Sequence, residues 1–88
     1  MQIEITRKFQ KQVEACDDQH IRLKVLSIIH EVIASEKMQG YANLKKLSGY
    51  KNSYRIRLGN YRLGIVIEDK TVIFAAFDHR SDIYKYFP

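Results

Sequence analysis

Tyr54-Arg55-Ile56-Arg57-Leu58-Gly59-Asn60-Tyr61-Arg62-Leu63 is the stretch around which the rest of the chain can be read. Side chains along a strand alternate between two faces, so Tyr54, Ile56 and Leu58 share one face and Arg55 and Arg57 point to the other. Gly59-Asn60 is a turn dipeptide, and Tyr61-Arg62-Leu63 resumes the alternation on the way back. Paired as a hairpin, the two segments bring Arg62 to the face that carries Arg55 and Arg57. Three guanidiniums on one face, with no carboxylate in the stretch, repel one another unless an anion binds there.

The charge distribution along the chain sharpens this. Of the net +5, residues 1–36 carry five basic and six acidic side chains, residues 37–67 seven basic and none acidic, and residues 68–88 three basic and four acidic. The excess therefore sits entirely in the middle segment. A charge block is commonly a solvated face. Here the cations alternate with core-type residues, so a sheet holds them in place, as in a protein whose partner is nucleic acid or another acidic molecule.

With 88 residues and 45% hydrophobic content, the chain is expected to form one domain over residues 1–88, able to bury a single core without metal or disulfide staples. Cys16 is the single cysteine, which sets a reducing, intracellular location as the default. Residues 1–6 lack a basic region followed by an apolar one, and the longest apolar run, Val72 to Phe77, is far too short to span a bilayer. The expectation is a soluble, cytoplasmic protein with no membrane partner.

Outward from the hairpin, Gln2 to Thr6 alternates as a strand, with Thr6 placed to cap a helix over Arg7 to Ala15 whose apolar stripe is Phe9, Val13 and Cys16. Asp17 or Asp18 caps a second helix from about Gln19 to Glu36, with Ile21, Val25, Ile28, Ile29, Val32 and Ile33 at helical spacing. Residues 37–52 read mainly as a connection, anchored by Leu44 and Leu47 and presenting Lys45, Lys46 and Lys51 for phosphate contacts. Tyr61 to Glu68 and Thr71 to Phe77 are two further strands joined by a turn at Asp69-Lys70. Ser81 is placed to cap a short turn from which Ile83 and Phe87 dock. The predicted class is α+β, in the order β-α-α-β-β-β, with an antiparallel sheet, two N-terminal helices on one face and a short C-terminal helical turn.

Several chemistries are absent: no glycine-rich phosphate loop, no Cys/His zinc spacing, no nucleophile elbow and no paired carboxylates in a plausible cleft. His20 and His30 lie on helix two without ligand-type neighbours, and no metal or cofactor is expected. What remains is a set of cations with His79 and several tyrosines, and that set matches RNA cleavage by the strand's own 2′-hydroxyl. Such a reaction needs a base for the hydroxyl, cations for charge developing on phosphorus, and an acid for the departing 5′-oxygen. Arg55, Arg57, Arg62 and Arg80 supply charge, while His79 and Tyr84 are proton carriers. Each residue also has a plainer reading. The arginines suit an edge hairpin guarded against aggregation, His79 and Arg80 a polar turn, and Tyr84 a packing residue.

The pieces Lys46-Leu47-Ser48-Gly49, Tyr54 to Arg57, Asn60 to Leu63 and His79 to Tyr84, in this order behind a strand and two helices, resemble the RelE/ParE superfamily of bacterial toxins. The resemblance implies a microbial-ribonuclease-like fold and the toxin half of a type II toxin–antitoxin pair. Its RelE-like branch further implies ribosome-dependent cleavage of mRNA in the A site. It places Arg55 and Arg57 at paired basic strand positions, Arg62 at the basic position of the next strand, and Arg80 and Tyr84 at C-terminal functional positions. His79 falls where several related toxins carry a histidine. Arginine stays protonated and is a poor base, so His79 and Tyr84 hold the base and acid roles in either order.

The expected partners are a cognate antitoxin, in a hetero-oligomeric complex, together with mRNA and ribosomal RNA. Two alternatives share the same sequence features: a ParE-like, noncatalytic inhibitor of DNA gyrase, and a noncatalytic nucleic-acid-binding module.

Overall fold

A computed structural model describes residues Met1–Pro88. In chain order it contains β1 (Gln2–Ile5), α1 (Arg7–Glu14), α2 (Gln19–Ala34), β2 (Leu44–Lys46), β3 (Ser53–Leu58), β4 (Tyr61–Glu68), β5 (Thr71–His79) and a 3₁₀ turn (Ile83–Lys85). The strands form one sheet in the order β1-β5-β4-β3-β2.

Local sequence accounts for the helix boundaries. The Thr6 hydroxyl accepts from the Phe9 amide at 3.1 Å, and the Asp18 carboxylate accepts from the His20 and Ile21 amides at 3.0 and 3.2 Å. These bonds satisfy amides that a helix start otherwise leaves unpaired. Of the two candidate aspartates, Asp18 is therefore the cap. Both helices place their buried side chains over one face of the sheet, where Phe9, Val25 and Val32 join Ile56, Leu63, Ile65, Val72, Phe74 and Phe77 in the main core. The Phe9 ring lies 5.4 Å from that of Phe74 and 6.3 Å from that of Phe77, tying α1 to β5.

The hairpin forms, with Tyr54 opposite Ile65, Arg55 opposite Gly64, Ile56 opposite Leu63, Arg57 opposite Arg62 and Leu58 opposite Tyr61. Gly59 takes φ +57° at the first position of the two-residue turn, a left-handed conformation that costs glycine little. β5 then pairs antiparallel with β4, completing the three-stranded meander.

The α+β class and the order of helices and strands are as the sequence predicts, and two features go beyond it. Residues 44–46, read as part of a connection, pair antiparallel with β3 as an edge strand, Lys45 lying opposite Arg55. β1 joins β5 in parallel, with Ile3 beside Val72 and Ile5 beside Phe74, so the sheet is mixed.

A β-bulge shifts the β4–β5 register: Gly64 faces Ala76 whereas its neighbour Ile65 faces Phe74, leaving Ala75 as the extra residue. Strict alternation from Phe74 would send Phe77 and His79 to the arginine face. The bulge inverts that, so Phe77 enters the helix-side core and the residues after it change sides with it. On the opposite face a smaller cluster forms from Ala76, Ile83 and Phe87, with Leu47, Val66 and Ala75 packed against it. This cluster seats the C-terminal segment on the face that carries the arginines.

Candidate functional site

Arg55 and Arg62 project from the middle of the sheet on the face away from the helices. Lys45 joins them from the edge strand by its pairing with Arg55, and Arg80 follows the end of β5, its amide donating to the Asn60 carbonyl at 2.8 Å. With Lys46 and Tyr84 they line a cavity of about 570 Å³ closed by Leu47, Ser48 and Ser81. Five cations line it and no carboxylate does. The molecule's one ion pair lies outside it, Lys85 to Asp82 at 3.1 Å.

The arginine contacts show how the cations are held without counter-charges. Arg62 donates to the carbonyls of Gly59 and Tyr61 at 2.8 and 2.9 Å, and Arg55 to the carbonyl of Asn43 at 3.0 Å. Carbonyls orient a guanidinium while leaving its charge unneutralised. Burial lowers the Arg62 pKa from its ordinary value, and repulsion from Arg55, with smaller contributions from Arg57 and Arg80, lowers it further against an opposing effect of Tyr84. Burial and neighbours alike disfavour its charged form, a cost that a nearby anion would offset.

The residues singled out from sequence do not all meet here. Arg55, Arg62, Arg80, Tyr84, Lys45 and Lys46 line the cavity; Arg57, His79 and Lys51 do not. Arg57 lies directly opposite Arg62 in the pairing, a repulsive placement, and turns toward Asn43, whose side-chain oxygen accepts from it at 3.4 Å. It borders a groove against Lys24, Ser27 and Glu31 of α2 instead.

His79 stands on the helix side because of the bulge. Its ring meets Tyr61 edge-on at 5.7 Å, and its Nδ1 lies 2.9 Å from the hydroxyl of Ser81. Its link to the cavity runs only through that serine. Lys51 is exposed in the loop before β3.

Ser81 does not cap the turn as its position suggests. Asp82 holds the cap position without a side-chain cap bond, and Ser81 is taken up by His79. Ser48 and Ser81 are cavity residues that the charge pattern did not single out. Ser48 belongs to the Lys46 to Gly49 motif, which was the signal available for it.

A slightly larger cavity, about 630 Å³, is lined in part by Met1, Met38 and Tyr54. Its lining sets Glu36 and Asp69 among Lys37, Lys46 and Lys70, so carboxylates offset most of its positive charge. The smaller, cationic cavity is the one with chemistry to offer.

Over residues 3–84 the chain matches the family model of the ParE toxin of type II toxin–antitoxin systems, parDE. It is 46% identical over 70 residues to Toxin RelE3 of Methanocaldococcus jannaschii, an alignment covering 78% of this chain and 80% of that protein. The chain belongs to the RelE/ParE superfamily of toxins.

Among solved structures, this RelE/ParE toxin is similar to a chain of the RelB–RelE antitoxin–toxin complex from Methanococcus jannaschii. The TM-score is 0.83 at 39% identity, covering 97% of this chain and 99% of that one. The isolated RelE toxin of E. coli shares the fold at a TM-score of 0.69 and 23% identity, covering 96% of this chain and 90% of that chain. No helix of the toxin is long and apolar enough to cross a membrane.

Proposed function

We propose that this RelE/ParE toxin is a ribosome-dependent, metal-independent endoribonuclease that cleaves mRNA in the A site. The observation that carries the reading is the cavity lined by Lys45, Lys46, Arg55, Arg62 and Arg80, with Tyr84 beside them and no carboxylate. The 2′-hydroxyl of one nucleotide attacks the adjacent phosphorus and loses its proton. The bond to the 5′-oxygen breaks, and that oxygen takes up a proton. The products are a 2′,3′-cyclic phosphate and a free 5′-hydroxyl. Charge accumulates on the non-bridging oxygens in the transition state, where Arg55, Arg62 and Arg80 offer fixed donors.

Tyr84 lines the cavity and can exchange a proton, and we assign it one of the two proton transfers. His79 reaches the cavity only through Ser81, and we assign it a supporting part in that exchange. Arg57, Lys45, Lys46 and Lys51 suit contacts to more distant phosphates of mRNA and ribosomal RNA. A cognate antitoxin with an acidic segment would silence the toxin by occupying the same face, a reading supported by the RelB–RelE complex among its structural relatives.

Primer extension on translating ribosomes tests the nuclease. The parent should give defined cuts within codons, and Arg62→Ala and Tyr84→Ala should each reduce cleavage by about 100-fold or more. Parent-like cleavage by both variants would overturn the proposed site. The match to a ParE family model favours one second reading, noncatalytic inhibition of DNA gyrase. Inhibited supercoiling with normal translation would select it.

A further inference from the structure

Gly64 is the residue of β4 that faces Arg55 on one side and Ala76 on the other, in the middle of the cationic face. A methyl group built on it would lie 2.6 Å from Cδ2 of Phe87 and 2.8 Å from Cγ and Cε2, closer than carbon atoms can approach. Gly64 and Ala76 thus form a notch between two strands, and the ring of Phe87 fills it, leaving Phe87 only 7% exposed. Four residues earlier Ile83 is fully buried in the same cluster, and the Phe87 amide donates to its carbonyl at 3.0 Å.

Tyr84 lies between these two anchors. It is half exposed, and its hydroxyl makes no hydrogen bond with the protein, so packing of its own does not hold it at the cavity. The segment is also tied at Tyr86, whose hydroxyl donates to Asp78 at 2.8 Å and accepts from the Gln12 amide. Its ring lies under the Lys8 ammonium at 3.7 Å. These contacts fix the segment to β5 and α1, whereas Phe87 fixes it to the strand that carries Arg62.

We propose that Phe87, seated in the Gly64–Ala76 notch, is a positioning residue that holds Tyr84 in register with Arg55 and Arg62. The proposal rests on the nuclease reading for its kinetic consequence but not for its geometry. Small displacements of a proton-transfer group lower the chemical step without loosening substrate held by other residues. The notch therefore acts on turnover through Tyr84, and leaves capture to the cations, which also stabilise the transition state.

The test compares Phe87→Ala, Phe87→Leu and Gly64→Ala with the parent in single-turnover cleavage on programmed ribosomes, with thermal unfolding of each recorded. Phe87→Ala should lower the saturating single-turnover rate by about 100-fold with the half-saturating concentration within about threefold of the parent, and Phe87→Leu should recover most of the loss. Adding Tyr84→Phe to Phe87→Ala should cost little more, because both changes remove the same contribution. Independent, multiplying losses would overturn the proposal.

A second readout needs no cleavage. Titration of the free toxin with inorganic phosphate should shift the Tyr84 ring resonances in the parent and leave them unmoved in Phe87→Ala and Gly64→Ala. Equal shifts in all three would overturn the positioning role even if the toxin proved not to be a nuclease. Should Gly64→Ala fail to fold, Phe87→Ala decides alone.

Discussion

Arg62 and Tyr86 carry opposite sides of the same electrostatics. Arg62 is a cation made less comfortable by burial and by its neighbours Arg55, Arg57 and Arg80, a cost that a phosphate bound there would relieve. Tyr86 is a phenol kept neutral: burial first, then its hydrogen bond to Asp78, push its pKa up to about 12, with the contact from Gln12 acting the other way. Its folded pKa exceeds the unfolded value of 10.0, so the protonated phenol stabilises the fold fully below pH 10. That contribution is lost as the pH rises through about 12. Chemical unfolding across this alkaline window should show stability falling with pH in the parent, and a shallower fall in Tyr86→Phe, which has no phenol to ionise. A parent and variant with the same slope would show that folding does not raise the Tyr86 pKa.

The helices illustrate elements that sequence specifies locally. Asp18→Ala leaves the His20 and Ile21 amides without their partner and should destabilise the fold by about 1 kcal/mol, lowering the melting temperature by roughly 4–8 °C for a domain of this size. Asp17→Ala, which removes no cap, should melt close to the parent.

Helix periodicity, the Gly59-Asn60 turn and the alternation of Tyr54 to Leu58 were legible because each is written into neighbouring residues. β5 was legible as a strand but not as two faces. Its bulge falls at Ala75-Ala76, where two small apolar residues carry no contrast between inside and outside, and the shift appears only once Gly64 and Ile65 choose their partners. That unmarked shift moved His79 away from the arginines. β2 was missed for a related reason: Leu44-Lys45-Lys46 is too short to show a period, and its strand character comes from pairing with β3. The departure of Arg57 from the cavity likewise depends on a tertiary neighbour, Asn43, that no local pattern names.

Across the whole molecule, helices cover one face of the sheet and cations occupy the other, within an envelope of 32 × 29 × 23 Å. Placed on a rigid sheet, the positive excess of residues 37–67 should act as a phosphate-binding surface whose affinity for single-stranded RNA falls with salt. Removing one phosphate contact, as in Arg55→Ala, should flatten the plot of log affinity against log salt by about 0.7, while Lys51→Ala, outside the cavity, should change it less. Fluorescence anisotropy with a noncleavable 2′-deoxy oligonucleotide measures both slopes, and equal changes for the two variants would place the binding surface elsewhere. The pairing of β1 with β5 also sets an order of assembly. Residues 2–5 leave the ribosome early, yet their partners at 71–74 emerge only after every other strand, and Arg80, Tyr84 and Phe87 later still. The loop to be closed between β1 and β5 is long, so the full sheet and its cationic cavity form only after β5 and the segment behind it are available. A growing chain therefore carries no assembled cationic face until β5 has emerged and paired.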